Sequence, residues 1–504
     1  MDDEKSVSPN LTTVEVSNLC MSEDALIEQY GADRVRKLLL KVCAPGLGLA
    51  DEQVDFHLMP ALVFLYLISF VDRGTLSNAS ILGIKTDLHI DTTQYNLLAT
   101  VFLFTYSFLD IPSNWVLQKI RPNIWIAVLC FVWGVITILS GLVQNYSGAI
   151  AARVFLGVAE AGFFPAAVFI TSVWYPRKQV QWRVAIFYCM GSLSGSFTGL
   201  IAYGVAHMDG RAGLASWRWI FILEGLVTVT FAPFIIWILP NSPSDSKWLS
   251  DDEKELLFNI CASGGGSPHV PFRKGYLYAA FKDIKVWMVG MMGVGTVLPM
   301  YGFSYTLPTI LTQLGYTAEQ AQLMTVPIYA VSAVTTLVTA WISDRIGRRA
   351  PGIMVCFAIA FVGLLTEFLL PKTTAFVHAR YGALFLIPIG VYGAYPGQLS
   401  WITNNTAGRG KRAMSSALEL TMANVSAAIG TNIFLGREAP NYPTGFGFSL
   451  ATVGLGFVLA GLLWWMLARE NARRENLDKV VVNRLSSVEI EEMGDSAPTF
   501  RYIL

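Results

Sequence analysis

Charge is what this sequence has least of. Of its 504 residues only 14% are Asp, Glu, Lys or Arg, against 53% hydrophobic, where soluble domains carry about 25% charged residues. So few charges cannot cover a water-facing globule. No positively charged stretch followed by a short apolar one opens the chain, so a secretory leader is not expected. A GxxxxGK[ST] phosphate loop is missing, which excludes the usual ATP-driven device; SGGG at 263–266 lacks the lysine and reads as a flexible linker. Five histidines and six cysteines, at 20, 43, 130, 189, 261 and 356, are scattered without metal-ligand spacing, so no metal, cofactor or disulfide is expected. No nucleophile stands near a sequence-readable base, which argues against an enzyme. Basic and acidic residues balance at 36 each, giving no reason to expect a nucleic-acid partner.

What the chain has is apolar length. From about residue 56 to 468 it runs as hydrophobic segments of ~20 residues, each long enough to cross a bilayer as a helix. This excludes a singly anchored enzyme, and it excludes an outer-membrane barrel, whose strands alternate in ~10-residue segments. Hydropathy and turn signals place spans near 56–80, 95–117, 122–143, 148–173, 183–207 and 217–239, then near 286–312, 322–343, 351–370, 381–403, 413–435 and 446–468. The expected fold is therefore an all-α membrane protein of twelve transmembrane helices in two six-helix halves, 56–239 and 286–468. Residues 1–55 form an acidic tail with a short helix expected over 22–42, residues 240–285 a polar central loop, and 469–504 a second tail.

Eleven short-loop cations, among them Lys119, Arg121, Arg177, Lys178, Arg183, Arg345 and Arg412, fall on one side of the membrane, against five on the other. The positive-inside bias then places that side, both termini and the central loop in the cytosol. An even number of spans agrees.

Between the eighth and ninth spans the chain reads AWISDRIGRRAP. Gly347 permits a tight turn, and Asp344 can pair with the arginines that follow, so Asp344, Arg345, Gly347 and Arg348 form a candidate cytosolic gate. The turn resembles the cytosolic signature of the major facilitator superfamily; the matching turn of the first half, IPSNWVLQKIRPN, keeps only Asp110, Lys119 and Arg121 of that pattern. Further stretches resemble the anion:cation symporter branch and, within it, the fungal allantoate permease-like group. They are FVDRGTLSNAS, YSFLDIPSNW, ARVFLGVAEAGFFPAAVFITSVWYPR, SWRWIFILEG, LPNSPSDSKWLSDDEK, SYTLPTILTQLGYT and WITNNTAGRGKRA. This resemblance spans nearly the whole membrane portion and implies proton-coupled uptake of small organic anions.

A charged side chain in lipid costs at least ~2.5 kcal/mol at the bilayer centre unless it is paired or faces water, so the few present carry information. They are Asp72, Arg73, Asp110, Arg153, Glu160, Glu224, Glu367 and Glu419. Asp72 and Arg73 diverge by about 100° on one helix, whereas Arg153 and Glu160 share a face about 10 Å apart. The economical assignment pairs Asp72 with Arg153, leaving Arg73 for a substrate carboxylate and Glu160 as a proton site. In the resembling family the equivalent residues serve coupling and substrate binding, which implies proton coupling through Asp72, Arg153 and Glu160. The plainer alternative is a neutral salt-bridge cluster that fixes packing. Gly157 and Ala161 suit close helix packing, and Pro165 loosens its helix. Glu224 can pair with Arg218, Asp110 can latch helices, Glu367 can reach water near the outer boundary, and Glu419 can gate or pack.

Polar and aromatic residues at mid-membrane depth supply the candidate pocket: Tyr106, Asn78, Tyr301, Tyr305, Gln398, Trp401 and Asn424, beside Arg73. The function expected is import of a small carboxylate such as allantoate, nicotinate or pantothenate with protons, by a plasma-membrane monomer working through alternating access. Two alternatives stand beside it: an exporter of an acidic metabolite, and a nutrient receptor that no longer transports.

Overall fold

The computed structural model describes residues 53–476, apart from 118–119, 176, 242–249, 253, 255–256, 258–273, 372 and 408, together with 495, 497–498 and 500–504. The expected helix at 22–42 and the linker at 263–266 lie outside the described residues, as does most of the central loop.

Twelve helical spans follow one another, with the one long connection between the sixth and the seventh. In the first half they are Gln53–Ile81, Thr92–Leu117, Pro122–Gly141, Tyr146–Glu160 continued by Phe163–Trp174, Arg177–Ala206 and Ser216–Ile238. In the second they are Ile284–Gln313, Ala318–Ile346, Ala350–Leu369, Val377–Asn404, Arg409–Ile433 and Pro443–Glu475. Span four is broken where a continuous helix was expected. Its gap at Ala161 and Gly162 lies four residues before Pro165, whose ring nitrogen has no hydrogen to give the Ala161 carbonyl. Side chains and turns fix other ends: Asn145 accepts from the Gly148 amide at 2.8 Å, Thr317 and Gln320 form a reciprocal capping box, and Gly347 closes span eight at φ 68°.

Eight spans are long and apolar enough to cross a membrane on those grounds alone. The other four, spans two, five, ten and eleven, are the more polar ones, and each packs against helices of the opposite half or lines the space between the halves. Large apolar side chains such as Phe108 and Trp237 stand 81% and 77% exposed, which a lipid phase accommodates and water does not.

Packing repeats with a period of six spans. Span one packs on five, two on four and three on six; correspondingly seven packs on eleven, eight on ten and nine on twelve. The halves meet through spans five with eight, two with eleven and one with seven, a set that is its own image under the same exchange. Close approach at this seam needs small residues: a Cβ on Gly199 of span five would sit 2.8 Å from the Gln322 carbonyl oxygen of span eight. Within the first half, a Cβ on Gly157 would sit 2.7 Å from the Phe102 carbonyl, in keeping with the packing role its sequence position suggests.

Among the described residues, hydrogen bonds join the halves on the face opposite the basic loops, and nearer the centre Ser192 Oγ donates to the Tyr329 carbonyl at 3.3 Å. Asn432 Nδ2 donates to Thr100 Oγ1 at 2.6 Å, Ser196 Oγ to the Val326 carbonyl at 2.9 Å, and Gln322 Nε2 to the Asn78 carbonyl at 3.5 Å.

The described residues of the expected second tail, 495, 497–498 and 500–504, meet the basic-loop end of the second half. Arg474 of span twelve donates to the carbonyls of Asp495, Ala497 and Phe500 at 3.0, 3.1 and 2.9 Å. Asp495 meets Lys285 of span seven at 2.5 Å and Lys411 of span eleven at 2.8 Å, and the Leu504 carbonyl accepts from the Arg349 amide at the start of span nine. One strap thus joins the ends of these helices.

Candidate functional site between the two halves

Five buried charges of the first half come together at mid-membrane, but not in the pairing expected. Arg73 Nε donates to Glu160 Oε2 at 3.1 Å, and Ser69 Oγ donates to the same oxygen at 3.3 Å. The expected Asp72–Arg153 pair does not form: among the described residues no hydrogen bond or ion pair reaches the Arg153 guanidinium, which lies over the Phe221 ring at 5.3 Å. The Asp72 carboxyl instead meets the Glu224 carboxyl, with Glu160 and Arg153 as further electrostatic neighbours. Glu224 takes a very short hydrogen bond from Thr75 Oγ1. Physically, the reversal follows from helix rotation: the side of span one that carries Arg73 turns toward span four, while Asp72, about 100° away, turns toward span six.

Arg218, offered above as a partner for Glu224, instead reaches Asp87 at 2.9 Å and the Val143 carbonyl at 2.6 Å. Glu367 does not reach water: it is fully buried, and Arg380 NH2 meets it at 3.1 Å. Glu419 is also fully buried, beside the Tyr395 hydroxyl and with Gly293 leaving the room it occupies. The side chain of Asp110 lies outside the described residues.

Arg73 stands between two cavities. One is lined by Arg73, Asn78, Tyr305 and Tyr329, the other by Arg73, Tyr106, Tyr395 and Asn424, and both touch Phe70, Met300 and Tyr301. Span one runs away from the basic loops and lines the first cavity at 70–78 but the second at 66–73, so the second is nearer the basic face. Arg73 NH1 donates to Tyr301 Oη at 3.3 Å, across the boundary between the halves. Its guanidinium lies 4.7 Å from the Phe70 ring centre and 4.5 Å from that of Tyr106. This arginine, its acid and Tyr301 form the partition at the centre of the molecule.

Of the expected pocket residues, Arg73, Tyr106, Asn78, Tyr301, Tyr305 and Asn424 do line these cavities. Gln398 and Trp401 do not. Gln398 is fully buried and donates to Thr296 Oγ1 at 2.7 Å, and Trp401 Nε1 donates to the Ile503 carbonyl at 2.8 Å, holding the strap. Mid-membrane depth was expected of both; Gln398 faces span seven, and Trp401 lies at the basic-face end of span ten. Reading for polar and aromatic residues at mid-membrane depth overlooked Phe70, Tyr66, Tyr188 and Tyr395, because most aromatics in membrane helices pack and these carry no sign that sets them apart.

At the basic face Asp344 pairs with Arg349 at 2.5 Å, while Arg345 stacks 4.2 Å over Trp341 and the Arg348 carbonyl accepts from Ser343 Oγ. The acid of this turn therefore uses the last of its arginines.

Residues 62–431 match the Major Facilitator Superfamily. The chain is 36% identical over 465 residues to the MFS-type transporter cnsO of Penicillium expansum, covering 90% of each. It is 30% identical over 459 residues to the high-affinity nicotinic acid transporter of Saccharomyces cerevisiae, covering 90% of this chain and 84% of that one. A solved structure of similar fold is a bacterial homologue of the human lysosomal transporter Spinster in an inward-facing, unoccupied conformation, with a TM-score of 0.62 and 17% identity over 82% of this chain and 97% of that one. Twelve spans in two repeated halves, a charged centre between them and these matches together establish that the chain belongs to the major facilitator superfamily, a multi-pass membrane transporter and not an enzyme.

Proposed function

We propose that the protein imports a small organic anion together with protons, by alternating access around Arg73. The observation that carries this is a charge count: Asp72, Glu160 and Glu224 are buried with Arg73 and Arg153, three carboxyls against two guanidiniums. Such a cluster is neutral only with one proton aboard. An incoming carboxylate that takes Arg73 away from Glu160 adds a second negative charge, which a second proton on Glu160 offsets. Substrate and proton then load together because neither arrives cheaply alone. Seen this way, the Arg73–Glu160 pair is the resting state of an anion site, with the acid in the place of the substrate.

The resemblance to a nicotinic acid transporter supports a carboxylate cargo. In this reading the basic face is cytosolic, and with the halves hydrogen-bonded on the opposite face the described conformation is open inward. A plasma-membrane monomer suffices, since every residue of the site comes from one chain. The test is a radiolabelled organic-acid panel in an uptake-deficient yeast at two external pH values: uptake of one acid that rises with external acidity supports the reading, and efflux or pH-independent uptake contradicts it. Epitope tags at either end should resist external protease in intact cells; digestion of either would reverse the orientation.

A further inference from the structure

The second half buries two acids and surrounds them differently. Glu367 of span nine is met by the Arg380 guanidinium at 3.1 Å. Glu419 of span eleven is just as buried, yet among the described residues no ion pair reaches it. Span ten brings it the Tyr395 hydroxyl, and span five brings Tyr188 into its field. Span seven offers only the backbone of Gly293, where a Cβ would stand 2.9 Å from Glu419 Oε1. Spans two and twelve and the short helix Lys274–Lys282, which also pack on span eleven, place no ionisable group beside it. The cations described on its own helix are two turns away, about 10–12 Å along the axis. Both are engaged elsewhere: Lys411 with Asp283 at 2.7 Å and Asp495 at 2.8 Å, and Arg412 with the Thr406 carbonyl at 3.0 Å.

An isolated carboxylate is prohibitive in such a place, so Glu419 holds a proton. Its surroundings nevertheless suit either charge state. A hydroxyl can turn its hydrogen toward a carboxylate or its lone pairs toward a carboxylic acid, whereas the guanidinium at Glu367 suits only the charged form. Tyr395 supplies one such hydroxyl. Ser415 supplies another, one turn nearer the basic face, in the direction toward which helical side chains lean. Its Oγ is fully buried and, among the described residues, makes no hydrogen bond.

The acid also has an outlet. Tyr395 lines the cavity toward the basic face, as does Leu420, while Glu419 is not among its walls. One hydroxyl thus stands between the proton and the cavity, and the ring that carries it meets Tyr188 of the first half edge-on at 5.2 Å. Movement of the halves remakes that contact.

We propose that Glu419 is a second proton site, carried by the second half and separate from the Asp72, Glu160 and Glu224 cluster, which loads and unloads through the Tyr395 hydroxyl. On unloading, the carboxyl passes its proton to Tyr395 Oη as that hydroxyl gives its own hydrogen to water in the cavity. The carboxylate left behind accepts from Tyr395 and Ser415, and loading runs the same exchange in reverse, so that one proton moves and nothing else changes. The use of this proton in transport rests on the proton-coupled reading above; the site itself does not.

The test is infrared difference spectroscopy of the full-length chain in nanodiscs with no organic acid added, which reads the carbonyl stretch of protonated carboxyls as the pH is stepped and after transfer to D2O. A band should be present at neutral pH, absent from Glu419→Gln but kept in Glu160→Gln, and should fade as the buffer is made alkaline and shift in D2O. Tyr395→Phe keeps the acid and removes its relay, so the band should remain while its deuterium shift slows by about 100-fold, the lower end of what a positioned proton donor contributes. If Glu419→Gln does not fold, carbon-13 labelling of glutamate identifies the band in the native chain, and Tyr395→Phe still reads the relay. A band that neither titrates nor takes up deuterium makes Glu419 a fixed packing acid and overturns the proposal. So does a spectrum that Glu419→Gln leaves unchanged, or a deuterium shift of unaltered rate in Tyr395→Phe. A titrating Glu419 in a chain that takes up no organic acid upholds the site and removes only the import reading.

Discussion

Arg73 of span one and Glu160 of span four are joined at 3.1 Å in the centre of the membrane, and the arginine extends its other end to Tyr301 of the opposite half. Three elements thereby share one guanidinium, and whatever takes the carboxylate's place alters contacts on both sides of the seam.

Arg73→Lys should lower uptake by roughly 10- to 100-fold, the value of charge-assisted bonds lost at one site, with abundance near normal. A planar guanidinium serves Glu160 and Tyr301 at once; an ammonium of shorter reach does not. Uptake with an unchanged half-saturation concentration would remove Arg73 from binding.

Gly199→Val should hold the halves apart on the face opposite the basic loops, because the added carbon would press on the Gln322 carbonyl at 2.8 Å. Transport should fall at least tenfold, by the logic of alternating access. A cysteine placed at Ser196 should become reactive to an impermeant maleimide from that face; unchanged labelling would mean that spans five and eight do not form the closing contact.

Arg380→Ala should destabilise the protein by about 3–5 kcal/mol, since it removes the guanidinium that meets buried Glu367 at 3.1 Å. Replacing both residues with leucine should restore most of the loss. Thermal denaturation in detergent reads both; a mild single variant would show that Glu367 finds a substitute partner.

The strap should depend on pH. Burial alone pushes the Asp495 carboxyl up, but hydrogen bonds from Lys285 and Lys411 outweigh it and hold the group below its ordinary range. A depressed carboxylate contributes stability that is present in full above its unfolded value of about 4 and is lost as pH falls through its lower folded value. Hydrogen exchange of residues 495–504 should therefore stay slow from neutral pH down to about 4 and speed up below, and Asp495→Asn should exchange quickly at neutral pH. Slow exchange in that variant would place the hold of the strap in Arg474 instead.

Hydropathy and turn signals together made the twelve spans legible, because a lipid phase demands long apolar helices and leaves little room for other solutions. The members of the charged centre were legible for the same reason: Asp72, Arg73, Arg153, Glu160 and Glu224 are conspicuous against an apolar background. Who pairs with whom was not. Spacing along a helix fixes relative angles within it but not its rotation against a neighbour, so Arg73 and Arg153 could exchange roles on paper. Depth likewise misplaced Gln398, which faces span seven, and Trp401, which lies at the basic-face end of span ten. The strap was hidden altogether, since its hold rests on backbone carbonyls meeting Arg474 and Trp401, and carbonyls have no sequence signal.

The exchange of partners at Arg73 is tested most directly with Glu160→Gln in proteoliposomes. Glutamine imitates the protonated acid, so the variant should bind the transported acid and exchange it across the membrane at a rate near that of the native protein. With an imposed pH difference it should fail to concentrate that acid, because the group that carries the proton is gone. Undiminished proton-driven accumulation would contradict the account and shift the coupling role to Asp72 and Glu224.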